Sequence, residues 1–325
     1  MKVLITGGSS LLGRTVASLL AERGDAVVTM QRRRAPGQGH QVLGDIRDRS
    51  RVREAVTGVD AIVHLAAKVS VNGAWSEFES INVEGTQNVI DAARELGVRH
   101  LVHVSSPSVA HFGEPLVAAG AEPADPDRTR GNYARSKALA EQLALDAASE
   151  SLSVVAIRPH LVWGPGDTQL VGRIVERARA GRLVLIDGGT ALIDTTYLDN
   201  AAEALVAAVD RSEHLNGQAF VVTNGEPHTV AELLARICRA AGVAEPARSV
   251  PRALASSAGT VVERAWSATH REGEPPMTRF LAEQLSTAHW FDQTLTQQAL
   301  GWTPKVSLAE GFRRLAAHYA EDTPD

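Results

Sequence analysis

Short apolar runs at 2–6, 26–30, 41–43, 61–65, 99–104 and 153–157 recur through the first half of the chain, rich in Val, Leu and Ile with little polar alternation. Such runs read as strands buried on both faces. Between them lie helical patterns: Leu12, Val16, Leu19 and Leu20 repeat at helical spacing before Gly24, and 78–96 reads as a longer helix closed by Gly97. This alternation predicts repeated βαβ units, and hence an α/β fold built on a doubly wound parallel sheet.

From about Pro159 the pattern loosens. Gly164-Pro165-Gly166 is a turn, a helix is expected near 170–180, and strand-like pieces appear at 182–186 and 219–222. Thr229-Val230-Ala231-Glu232 and Ser307-Leu308-Ala309-Glu310 have the form of capping boxes and predict two helices near the C-terminal end. The stretch 250–276 mixes Ala, Ser, Val, Trp266 and charges; it reads first as packing, with a lid or a membrane-surface helix as alternatives.

Composition removes several functions. With 33 basic against 38 acidic side chains, net −5, the chain has no broad positive field for a polyanion, so nucleic acid is not the expected partner. Its one cysteine, Cys238, can make neither an internal disulfide nor a zinc site, which fits a cytoplasmic protein. No apolar run approaches a membrane span, and the apolar start Val3-Leu4-Ile5 is cut by Gly7 and Gly8 too soon for a signal peptide. Phosphate-loop, zinc-hydrolase and nucleophile-elbow motifs are missing, and no metal is expected.

The chemistry lies elsewhere. Thr6-Gly7-Gly8-Ser9-Ser10-Leu11-Leu12-Gly13 joins the first strand to the first helix, where a glycine-rich turn presents helix N-terminal amides to a pyrophosphate, as in a Rossmann domain. Gly7 permits the tight turn and Gly13 the close helix-to-sheet approach. The middle slot, usually glycine, is Ser10, which either donates to a phosphate or crowds it. After the second strand, the slot that carries an acidic residue in NAD-binding folds is Gln31, followed by Arg32, Arg33 and Arg34. Guanidinium groups in place of a carboxylate suit a 2′-phosphate, so NADP is expected ahead of NAD. Asp45 and Ile46 after the third strand, and Leu65, Ala66 and Ala67 after the fourth, would then flank adenine and ribose.

Tyr133 and Lys137 are four apart in the helical segment 132–148, so both side chains share one face. A phenol beside an ammonium is expected to fall from its ordinary value near 10 toward neutrality and work as an acid/base. Ser105, Ser106 and Ser108 follow the fifth strand and are candidates to hold a carbonyl oxygen.

Taken in order, the glycine turn, Gly44-Asp45-Ile46-Arg47-Asp48, His64-Leu65-Ala66-Ala67, Asn82-Val83-Glu84-Gly85-Thr86, Ser105-Ser106, Tyr133-Ala134-Arg135-Ser136-Lys137, Arg158-Pro159-His160-Leu161-Val162-Trp163-Gly164-Pro165-Gly166-Asp167 and Thr196-Tyr197-Leu198-Asp199-Asn200 resemble the extended short-chain dehydrogenase/reductase family. The branch resembled is that of 3β-hydroxysteroid dehydrogenases. Within it, 105–109 and 274–280 are similar to segments of bacterial 2-alkyl-3-oxoalkanoate reductases.

The resemblance implies Tyr133 as acid/base, Lys137 as its partner and nicotinamide-ribose ligand, and Ser106 as the third catalytic group. It further implies that Pro159, His160 and Leu161 line the nicotinamide, that Asn82 and Lys68 lie near cofactor or substrate, and that the protein forms a homodimer. The domains expected are 1–160 for NADP, with 192–210 and part of 217–225 returning to it, and 161–325 as a smaller, mixed substrate-binding or lid region. Trp75, Ser108, Trp163 and Tyr197 are the expected substrate contacts, with Phe78, Phe112, Leu192, Trp266, Met277 and Phe280 as further candidate walls.

The function expected is interconversion of a ketone and a secondary alcohol on a small hydrophobic molecule, a β-keto acid or a steroid-like ring. Pro107 and Ser108 stand where the family's dehydratases carry an acidic pair, and Leu161 where its epimerases often carry Asn. A nucleotide-sugar epimerase or dehydratase and a non-catalytic NADP-sensing regulator are the alternatives.

Overall fold

The computed structural model describes residues 1–37, 39–70, 72–257, 259, 262 and 279–321, with backbone alone for 279–282. In chain order the elements begin β1 (Lys2–Thr6), α1 (Leu11–Glu22), β2 (Ala26–Gln31), β3 (His40–Leu43), α2 (Arg49–Val56) and β4 (Ala61–His64). Then α3 (Trp75–Phe78) runs through a π-helical turn (Glu79–Glu84) into α4 (Gly85–Glu95). Next come β5 (His100–Val104), a 3-10 turn (Pro107–Ala110), β6 (Leu116–Ala119), α5 (Asn132–Asp146), β7 (Ser153–Pro159), β8 (Val162–Trp163) and α6 (Val171–Arg179). The rest comprises β9 (Leu185–Ile186), β10 (Leu192–Ile193), β11 (Thr196–Tyr197), α7 (Leu198–Arg211), β12 (Gln218–Val222), β13 (His228–Thr229), α8 (Val230–Ala240), β14 (Ser249–Val250), α9 (Arg279–Ser286), β15 (His289–Phe291), α10 (Thr294–Leu300) and α11 (Leu308–Glu321).

The central sheet has seven strands in the order β12-β7-β5-β4-β1-β2-β3, every pair parallel. The chain winds outward from β1 through β2 to β3, then returns to β4 and winds the other way, which makes the doubly wound α/β fold. Strand residues alternate between two cores. Val3, Ile5, Val63, Val102 and Val155 pack under α1 and α7, while Leu4, Ile62, Leu101 and Val154 pack under α2, α4 and α5. Burial on both faces is why these strands lack polar alternation.

The winding reverses between β1 and β4, and such a reversal opens a crevice beyond the carboxyl ends of the strands. Gly7, Leu65 and Ser105 leave their strands at that edge.

A smaller mixed sheet, in the order β13-β10-β15-β6, joins three strands of the second half to β6 of the first. Of the strand-like pieces, 219–222 joins the central sheet as β12, whereas 182–186 shortens to β9, paired only with β14. Both capping hydroxyls act as expected: Thr229 Oγ1 accepts from Glu232 N and Ser307 Oγ from Glu310 N, each at 3.2 Å. The reciprocal half is absent, because the Glu232 and Glu310 carboxylates turn to Arg236 and to Arg313 and Arg314 instead. Most of 250–276, with Trp266 and the neighbouring Met277, lies outside the described residues, as does the Phe280 side chain. Among the described residues no helix is long and apolar enough to cross a membrane.

Candidate active site

The turn after β1 is shaped by three close approaches. Gly7 has φ +73°, and a Cβ there would stand 2.9 Å from Ala66 N; one on Gly13 would stand 2.6 Å from the Gly7 carbonyl oxygen. Gly8, which the motif reading passed over, is pressed against β2: its Cβ would meet that of Thr29 at 2.6 Å. Ser10 has an ordinary φ of −68° and caps α1, its Oγ accepting from Gly13 N at 3.0 Å. The hydroxyl is thus turned back onto the helix, which explains how serine occupies a slot that usually holds glycine. Ser9 is exposed and Leu11 and Leu12 are half-buried on the same turn.

Gln31 is the last residue of β2, 6% exposed, and its Nε2 donates to Gln41 Oε1 at 3.0 Å. Its own Oε1 has no partner among the described residues. Arg32 and Arg33 follow it, exposed. The Asp45 carboxylate is held below its usual range by a hydrogen-bonded ion pair with Arg47 at 2.8 Å, with Arg32 adding to the effect. Ile46 is buried against Gly85. Across the crevice Leu65, Ala66, Ala67 and Lys68 are half-buried, and Ala66 N donates to Thr6 Oγ1 at 3.1 Å. Asn82, inside the π-helical turn, clamps this loop: its Oδ1 accepts from Lys68 N at 2.7 Å and its Nδ2 donates to Ser136 Oγ at 2.9 Å. Lys68 itself pairs with Glu77 at 3.0 Å. A cradle that side chains would fill, at the N-terminus of α1 and beside an unpaired buried oxygen, fits a dinucleotide.

Ser106 caps the 3-10 turn, its Oγ accepting from Ser108 N at 3.3 Å and lying 2.9 Å from Ser108 Oγ. Tyr133, in the first turn of α5, lies beside Ser106, whose side chain counteracts the effect of burial on the phenol. One turn on, Lys137 is 4% exposed and its Nζ donates to the Val104 carbonyl at 2.7 Å. The structure therefore brings Ser106, Tyr133 and Lys137 to one place. Ser105 is buried with its hydroxyl unpaired among the described residues.

The electrostatics differ from expectation. Burial pushes the Tyr133 phenol above its ordinary value of 10, and the group that opposes this is Ser106, not Lys137. Lys137 is instead pushed down to about 8, by burial, against the pull of Glu141. Both ionised forms lose water here, and the ammonium is committed to a carbonyl oxygen.

Pro159 ends β7, and Leu161 follows with a left-handed φ of 44°. Between them His160 is 7% exposed, its ring 4.9 Å from that of His289 and 5.2 Å from that of Phe291. Two expected substrate contacts lie apart from the Ser106–Tyr133 group. Trp163 and Tyr197 are buried in the C-terminal core, where Trp163 stacks on Phe312 at 4.6 Å and gives its indole N–H to Thr195. Tyr197 meets the Trp163 ring edge-on at 5.5 Å, so both side chains are part of that core's packing. Phe78 is fully buried, Leu192 is exposed, and Trp75 and Phe112 lie under Arg135 and Arg128 at 4.7 and 4.2 Å.

The sequence model of the 3-beta hydroxysteroid dehydrogenase/isomerase family matches residues 4–252, most of the chain. The chain belongs to that family. It is an enzyme of the dehydrogenase/reductase kind, acting between CH–OH and C=O. Among curated proteins it is 42% identical to a 2-alkyl-3-oxoalkanoate reductase of Stenotrophomonas maltophilia, over 98% of this chain and all of that one. It is 37% identical to another protein of that name from Shewanella oneidensis, over 96% of this chain and 85% of the other. Among solved structures, a UDP-glucose 4-epimerase of Thermus thermophilus in complex with NAD superposes with a TM-score of 0.71 at 26% identity, over 99% of this chain and all of that one.

Proposed function

We propose that the protein is an NADP-dependent oxidoreductase that interconverts a ketone and a secondary alcohol on a hydrophobic substrate, a β-keto acid with alkyl chains being the favoured class. The observation that carries the reading is Tyr133 beside Ser106, one helical turn from the buried Lys137, whose Nζ is anchored on the Val104 carbonyl at the end of β5. The two reductases named above support the substrate class. The uncharged Gln31 followed by exposed Arg32 and Arg33 supports the 2′-phosphate.

When bound, the nicotinamide supplies or receives the hydride. Tyr133 gives its proton to the carbonyl oxygen and recovers it in the reverse direction. Ser106 holds the same oxygen by donating its hydroxyl proton, with Ser108 then acting as donor to Ser106 Oγ through both its N–H and its hydroxyl. Lys137, anchored on the Val104 carbonyl, would hold the nicotinamide ribose with its remaining N–H donors. Asn82 keeps the 66–68 loop and Ser136 of α5 in register.

Tyr133→Phe tests this directly. With NADPH and a 2-alkyl-3-oxo acid, kcat is expected to fall about 10²–10⁴-fold, while calorimetry still detects NADPH. Full turnover in that variant would remove the acid/base role.

A further inference from the structure

The orientation of the Gln31 amide is settled by a residue on the neighbouring strand. Gln41, on β3, donates from Nε2 to the Ala35 carbonyl at 2.6 Å, and Ala35 N–H donates back to Gln41 Oε1 at 3.3 Å. A backbone N–H only donates and a backbone carbonyl only accepts, so these two bonds leave one orientation for the Gln41 amide. Its oxygen then accepts from Gln31 Nε2 at 3.0 Å. With that nitrogen committed, Gln31 Oε1 faces Gly8, where an added Cβ would stand 3.0 Å away. The oxygen is buried and has no partner among the described residues. A buried acceptor left without a donor is costly. This one lies at the end of the second strand beside the glycine turn, where the adenosine ribose of a dinucleotide sits and where ribose hydroxyls are the donors it lacks.

We propose that Gln41 is a positioning residue for the cofactor: it fixes the polarity of the Gln31 amide so that β2 presents a neutral acceptor to a ribose hydroxyl. Gln41 acts only through Gln31. The inference rests on the dinucleotide reading above but not on the choice of NADP, since NAD offers both ribose hydroxyls and NADP keeps the 3′-hydroxyl. A neutral acceptor also spares a 2′-phosphate the repulsion a carboxylate would exert.

The test is calorimetry of wild type, Gln31→Leu, Gln41→Leu and the double variant, each titrated with NADPH and with NADH. Each single variant is expected to bind about tenfold more weakly, the worth of one hydrogen bond. The double variant should be no weaker than either, because the two residues form one device. If Gln41 merely braced the 32–37 turn, its loss would weaken binding as much in the Gln31→Leu background. Additive losses of about a hundredfold, or full affinity in Gln41→Leu, overturn the proposal and leave dinucleotide binding standing. A wild type that binds neither nucleotide removes both. Gln41→Glu keeps acceptor oxygens for Gln31 Nε2 and Ala35 N, and should bind NADH more tightly than Gln41→Leu does; failure of that rescue also counts against the proposal.

Discussion

At the scale of single residues, the decisive group is Lys137. Its ammonium is enclosed, and burial brings it down to about 8. For a base lowered in this way the charged form exists below that value and is lost above it. If the ammonium serves the reaction, kcat/KM for the cofactor, which reports the free enzyme, should be flat below pH 8 and fall about tenfold per unit above it. Lys137→Arg keeps a charge throughout and should lose the limb near 8 whatever its overall rate. A wild-type profile flat from pH 7 to 10 would take the charge out of the mechanism. Ser106, Tyr133 and Lys137 were legible because each stands at a fixed place, a strand end or one helix face. Their interactions were not: a phenol four residues from an ammonium reads as a tuned pair, yet the lysine turns to the Val104 carbonyl. Gln41 was invisible for a related reason, since its bonds to Ala35 and Gln31 depend on how β2, the following turn and β3 close on one another.

At the scale of elements, the parallel strands were legible because doubly buried strands give continuous apolar runs. The observed ends shift by a residue or so, as when β2 extends to take in Gln31. The helix expected from 78 onward was legible as a helix only. A 3.6-residue pattern cannot announce a π-helical turn, and it is this turn at 79–84 that contains Asn82, bonded to both the 66–68 loop and Ser136. The start of α1 gives a testable case. Ser10 Oγ accepts one otherwise unpaired N–H, so Ser10→Ala should cost about 1 kcal/mol of stability and Ser10→Gly only a few tenths. Urea unfolding of the two variants checks the order. If glycine is the worse replacement, the serine is retained for something other than its cap.

For the whole molecule, the alternation of strands and helices made the central sheet legible, whereas the smaller sheet was hidden because it joins strands of two to four residues from widely separated segments. Also hidden was the link that ties α5, which carries Tyr133 and Lys137, to the sheet. Arg158 on β7 and Glu141 on α5 have side chains each 1% exposed and form two bonds, at 2.8 and 2.5 Å, and Arg158 Nη1 also donates to the Glu122 carbonyl at 2.7 Å. Removing one partner of such a pair strands a charge without water, so Glu141→Gln should lose roughly 3–5 kcal/mol, read from the urea midpoint. Replacing both with apolar residues of similar size, Glu141→Leu with Arg158→Met, should lose less than the single change, because no charge is stranded. The same carboxylate holds the Lys137 value up against burial. In Glu141→Gln the falling limb of the pH profile should therefore move below 8, by a route that does not touch Tyr133. A stability loss with no movement of the limb would leave Glu141 as a strut for α5 and detach it from the charge at the site.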